Sequence, residues 1–176
     1  VKGAKAAGAT VATGDKITAA FGASQVLKVS DVETIATTFT AAATLDMTSV
    51  TGVNLVTVAS DATARVATLS GISSAVKVAV TANDDNEGIT IVASDRAGAA
   101  NTFALEVTAA IAAEDLNVDM EGIETLTITN KAANVDLDLT NFDMDTATKT
   151  NKLVVKGAVN TDIIALSVDT TEVDAS

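Results

Sequence analysis

The 176-residue chain has no cysteine, histidine, proline, tryptophan or tyrosine. Each absence excludes something. Without cysteine there is no disulfide framework, no thiolate nucleophile and no cysteine zinc site. Without histidine the usual general base is missing, and so is the commonest transition-metal ligand. Ser-His-Asp and Cys-His catalysis are therefore impossible. Without proline, turns must rest on Gly, Asn, Asp and Ser. No run approaches the ~18 apolar residues that cross a bilayer as a helix. The glycines form neither GxxxxGKS/T nor GxGxxG, so no phosphate loop is present. The chain opens at Val1 without Met and shows no signal peptide, so a processed product or a piece of a longer chain is expected.

What remains is aliphatic and acidic. Hydrophobic residues make up 48% of the chain but aromatics only 2%, so Ala, Val, Leu and Ile must build the core. Such side chains suit a thin, repetitive core. Thr and Val branch at Cβ and favour extended backbone. The net charge is −12, which makes nucleic acid a poor partner because phosphate binding needs a basic surface. The charge is uneven. Residues 1–30 hold Lys2, Lys5, Lys16 and Lys28 against Asp15, a net +3, and the remainder is net −15. One reading is a basic head and an acidic body that attract each other between copies; the other is a chance cluster of charge in a solvated segment.

Residues 1–25 are rich in Ala, Gly and Thr and read as a flexible or donated N-terminal arm, with strands possible at Ala9–Thr13 and Lys16–Ala20. A first β unit is expected over 26–120. Its strands are predicted at Val26–Val29, Glu33–Thr38, Thr44–Met47, Leu55–Val58, Ala64–Leu69, Val76–Val80, Ile89–Val92, Phe103–Val107 and within Asp115–Met120. Turn signals stand between them at Ser30-Asp31, Thr51-Gly52, Ser60-Asp61 and Ser70-Gly71. The turn Asn83–Gly88 reads as a hairpin or a coil corner, and Thr108–Glu114 as a short helix. A second β unit is expected over 121–176, with strands at Glu124–Ile128, Val135–Leu139, Lys152–Val155 and Ile164–Val168. Strand centres lie about 10–12 residues apart, the cadence of a solenoid or a sandwich. An internal echo links the units: Val32-Glu33-Thr34-Ile35 returns as Ile123-Glu124-Thr125-Leu126.

The acidic turns are the candidate ion sites. Asp84, Asp85 and Glu87 lie in one, and Asn141, Asp143 and Asp145 in another. Both offer side-chain oxygens at alternate positions, and Ca²⁺ takes six to eight oxygens. Neither is a calcium-hand loop, because the twelfth positions are Ser94 and Lys152 rather than Glu. Solvated turn acids are the competing reading. Asp136 and Asp138 alternate with Val135, Leu137 and Leu139, which makes them the wet face of a half-buried strand rather than an acid/base pair.

The segments Ile123–Asn130, Val135–Thr140, Lys152–Gly157 and the ending Glu172–Ser176 resemble the repeat region of bacterial surface-layer (S-layer) proteins. A smaller likeness joins Ile89–Ala93 and Phe103–Val107 to modules of phage-tail and adhesive proteins. The surface-layer resemblance implies export, self-assembly at a cell surface and a lattice that depends on calcium.

The expected fold is all-β: a short-stranded parallel β-solenoid, or else one or two immunoglobulin-like β-sandwiches. The expected function is non-enzymatic, a secreted structural subunit that forms a lattice or filament with copies of itself, bridged by calcium. A monomeric adhesin-type module that binds a surface glycan or receptor is the alternative.

Overall fold

A computed structural model of the chain describes residues 14–60, 67–83, 89–93, 101–109, 116–119, 123–132, 135–139, 152–157, 159–166 and 170–175. Fifteen strands cover most of them. The odd-numbered strands are β1 (Lys16–Phe21), β3 (Thr34–Phe39), β5 (Leu55–Ser60), β7 (Lys77–Asn83), β9 (Thr102–Val107), β11 (Thr125–Asn130), β13 (Lys152–Lys156) and β15 (Glu172–Ala175). They form one eight-stranded sheet in chain order. The even-numbered strands are β2 (Gln25–Val29), β4 (Ala43–Val50), β6 (Ala67–Ile72), β8 (Ile89–Ala93), β10 (Leu116–Asp119), β12 (Val135–Leu139) and β14 (Thr161–Leu166). They form a seven-stranded sheet, also in chain order. The chain thus alternates between two sheets, one strand in each per coil. The fold is a two-sheet parallel β-solenoid.

Every registered strand pair is parallel. That excludes the immunoglobulin-like alternative, whose sheets are antiparallel. β7 and β8 belong to different sheets and so do not pair as a hairpin, while residues 84–88 between them lie outside the described residues. The segments 26–120 and 121–176 meet through the ladders β9–β11 and β10–β12.

The core is a set of stacked aliphatic columns. In the odd sheet Ile17, Ile35, Val56, Val78, Leu105, Ile128, Val155 and Ala175 follow one another through all eight strands. The middle members are buried, while Ile17 and Val155 are only partly so and Ala175 is exposed. Neighbouring parallel strands lie about 4.8 Å apart, so each side chain rests on its counterpart one coil away. In the even sheet Leu45, Leu69 and Ile91 stack in register. Phe21 lies tilted against Phe39 with ring centroids 6.3 Å apart. Alternation does the sorting: β3, β5 and β11 each bury every second residue.

The internal echo is a corner device. Glu33 and Glu124 each stand just before an odd strand. The carboxylate of Glu33 accepts the N–H of Asp15 at 2.7 Å, and that of Glu124 accepts the N–H of Asn101. In return, Asp15 O accepts the N–H groups of Glu33 and Thr34, and Asn101 O those of Glu124 and Thr125. The glutamate therefore bonds back to the coil that supports it, and satisfies a donor that the ladder leaves open. The hydrophobic residue before it, Val32 or Ile123, is buried.

Left-handed backbone marks other corners. Asp31 (φ 58°) and Gly52 (φ 81°) sit one above the other in consecutive coils. Asp tolerates this region better than most residues, and Gly adopts it freely. Gly157 (φ 144°) is tighter still: a Cβ there would lie 2.2 Å from Asn130 O.

Two strand expectations shift. The strand expected at Ile164–Val168 runs over Thr161–Leu166 instead, and Glu172–Ala175 forms an additional strand. Thr108, expected to open a helix, continues the β9 corner: its N–H and its hydroxyl both donate to Val80 O, at 2.9 and 3.0 Å. A β-branched residue with a local backbone acceptor suits this extended end better than a helix start. Residues 110–114 of that expected helix lie outside the described residues.

Candidate functional site

The candidate ion ligands Asp84, Asp85 and Glu87, and Asn141, Asp143 and Asp145, all lie outside the described residues. Among the described residues no three acids converge as a metal-holding group. Val135, Leu137 and Leu139 are buried, the apolar half of the alternation expected around Asp136 and Asp138. Register places Asp136 opposite Asp162, and Asp138 opposite Asn117.

Among the described residues the two ladders stop at four edge strands. A parallel ladder gives each interior strand two neighbours, but β1, β2, β14 and β15 each have one among the described residues. Such edges expose unpaired N–H and C=O groups, ready to template a further strand. The apolar columns run out to these edges. Val173, inward on β15, is 49% exposed, and Leu27, inward on β2, is only partly buried; Val26 on β2 is 58% exposed but lies on the outer face, opposite Asp46. Val159 and Leu166 at the C-terminal end are exposed as well. Val26, Val159, Leu166 and Val173 are the exposed large aliphatic side chains among the described residues. All lie in the terminal coils.

The charges at the ends are segregated. Strands β1 and β2 carry Lys16 and Lys28 and no acid. Strands β14 and β15 carry Asp162, Glu172 and Asp174 and no base. This refines the basic head and acidic body seen in the sequence.

Along the outer face of the odd sheet, ions pair across coils. Glu106 on β9 is held by Lys77 on β7, and by Lys131, just past β11, at 2.9 Å. The hydrogen bond from Lys77, and then that from Lys131, hold the Glu106 carboxyl below the ordinary glutamate range. Nearer the C-terminal end, Lys152 on β13 bonds Glu172 at 2.6 Å and Asp174 at 3.2 Å. Those contacts, Glu172 first, raise the Lys152 ammonium above its usual value. In the even sheet the Thr48 N–H bonds the Asp46 carboxylate at 2.9 Å and lowers its pKa.

A buried polar joint ties the two sheets near the C-terminal end. Asn130, at the close of β11, is almost fully buried. Its Nδ2 donates to Asn160 O at 3.1 Å and to Thr161 Oγ1 at 2.8 Å. Its Oδ1 accepts the Ala132 N–H at 2.9 Å. One side chain thus pins the start of β14 to the end of β11. Sequence reasoning missed this joint. Asn130 stands where the alternating apolar pattern of β11 calls for another aliphatic, which was the available signal.

Compared with known proteins, the chain matches no family model, no curated sequence and no solved structure. No helix among the described residues is long and apolar enough to cross a membrane.

Proposed function

We propose that this chain is a non-enzymatic structural subunit of an exported bacterial surface array or filament, assembling with copies of itself. The observation that carries the reading is the pair of unpaired parallel sheet edges, apolar at their inner columns and opposite in charge. A parallel solenoid edge accepts another strand without changing its own conformation, so the ordering cost of assembly is low. The Cys-free, Thr- and Ala-rich acidic composition suits a secreted surface protein and underlies the resemblance to surface-layer repeats. Calcium enters this reading as a bridge between subunits, with Asp84, Asp85, Glu87, Asn141, Asp143 and Asp145 as its ligands.

Negative-stain imaging of the purified chain with calcium and with a chelator tests the proposal. Sheets or filaments that dissolve in chelator support both assembly and calcium bridging. Assembly that ignores chelator supports the structural role and removes calcium from it. Single small particles at high concentration under both conditions overturn the proposal and favour a monomeric adhesin or phage-tail module that binds a glycan or receptor.

A further inference from the structure

We propose that copies of the chain stack head to tail, with β15 of one copy laid parallel against β1 of the next. The inference rests on the self-assembling function above and names its surface.

Three observations converge on this junction. The first is the inner column. Val173 registers with buried Leu153, so β15 turns Val173 inward. On β1 the inward positions are Ile17, Ala19 and Phe21, which register with Ile35, Thr37 and Phe39. Strand parity then permits Ile17 to lie over Val173 or over Ala175. Either register extends the aliphatic column that already crosses eight strands.

The second is the outer face. Lys16 falls beside Glu172 in the first register and beside Asp174 in the second. Both give an ion pair. The fold already contains this arrangement: the carboxylate of β9 is flanked by a lysine from each side, Lys77 and Lys131. The carboxylates of β15 have Lys152 on one side and a sheet edge on the other. Lys16 of a second copy supplies the missing flank.

The third is polarity. Two N-terminal ends bring lysines together, and two C-terminal ends bring acids together. Like charges set face to face suppress the wrong pairing, so only head-to-tail stacking is favoured. The strand count adds a consequence. With eight strands in one sheet and seven in the other, the junction leaves one position between β14 and the next copy's β2.

Two charge-reversed chains test the junction, one carrying Lys16→Glu and the other Glu172→Lys with Asp174→Lys. The first carries acids on both the β1 and the β15 edge, and the second carries lysines on both. Each alone should need about tenfold or more protein to assemble than the natural chain, read by sedimentation velocity. An equimolar mixture should assemble near the natural threshold, because each end again meets its opposite. If either reversed chain fails to fold by far-UV circular dichroism, the neutral pair Lys16→Gln and Glu172→Gln/Asp174→Asn reads the same contrast as a smaller rise. Should the natural chain assemble and the reversed chains do so equally well alone, this junction is wrong while the structural function stands. A natural chain that stays monomeric at every concentration overturns both.

Discussion

Replacing Asn130 with alanine should loosen the C-terminal coils before the rest of the molecule. The side chain makes three hydrogen bonds, at 2.8, 2.9 and 3.1 Å, from an almost fully buried position. Alanine leaves the N–H of buried Ala132 without its acceptor, which costs about 1–3 kcal/mol. The two acceptors at Asn160 and Thr161 are partly or fully exposed and can turn to water, so their loss adds only about 0.5–1 kcal/mol. The total is about 1.5–4 kcal/mol. Solenoid stability is nearly a sum of coil and nearest-neighbour terms, so the loss should stay local. Native-state hydrogen exchange should show faster exchange across Thr161–Leu166 and little change across Thr34–Phe39. Urea unfolding should show a midpoint shift of the size given above, or an early phase that carries it. Unchanged protection of β14, or a loss below about 0.5 kcal/mol, would refute the view that Asn130 joins the two sheets.

Further tests address backbone and charge. Gly157→Ala should destabilise the same region by about 2 kcal/mol or more, since its Cβ would fall 2.2 Å from Asn130 O at a φ of 144°. A thermal melt that matches the natural chain would show that the corner relaxes freely. The Glu106 carboxyl is held low by Lys77 and Lys131, so its pairing stabilises the fold above the ordinary glutamate value of about 4.3 and is lost as pH falls through its lowered folded value. Glu106→Gln should therefore lower the melting temperature at pH 7 and have little effect near pH 2, and an equal effect at both would mean that the charge contributes nothing.

The fold class was legible because a parallel solenoid imposes simple local rules. Alternation such as Thr125-Leu126-Thr127-Ile128 sets which residues face in, and Ser30-Asp31 and Thr51-Gly52 mark corners. The glutamate echo was visible before its bonds were, because two coils solved the same corner in the same way. The coil period was harder to see. The column from Ile17 through Ile35, Val56, Val78, Leu105, Ile128 and Val155 to Ala175 advances by 18, 21, 22, 27, 23, 27 and 20 residues. The stretches between strands differ in length and four strand pairs shift register, so the sequence shows no fixed repeat. Cross-coil pairs such as Lys77 with Glu106 span 29 residues and cannot be matched without the register. The short last strand also escaped notice, since Glu172–Ala175 offers only two outward acids and one valine.

Stacking should show itself most directly at the terminal coils. In a solenoid each interior coil is stabilised from both sides, but an end coil has one neighbour and opens at low cost. Burial follows this: inward Ile17 and Phe21 on β1 are only partly covered, and Val173 on β15 is half exposed, whereas Ile35, Phe39 and Leu126 are fully buried. A second copy on either end supplies the missing neighbour, so association and end-coil stability are linked by mass action. Exchange protection in Lys16–Phe21 and Glu172–Ala175 should therefore rise with protein concentration in the natural chain. In the Lys16→Glu chain the same rise should need about tenfold or more protein, while β5 and β11 remain protected in both. Protection that rises across the whole molecule, or at neither end, would place the contact between copies on the faces of the sheets rather than at their edges.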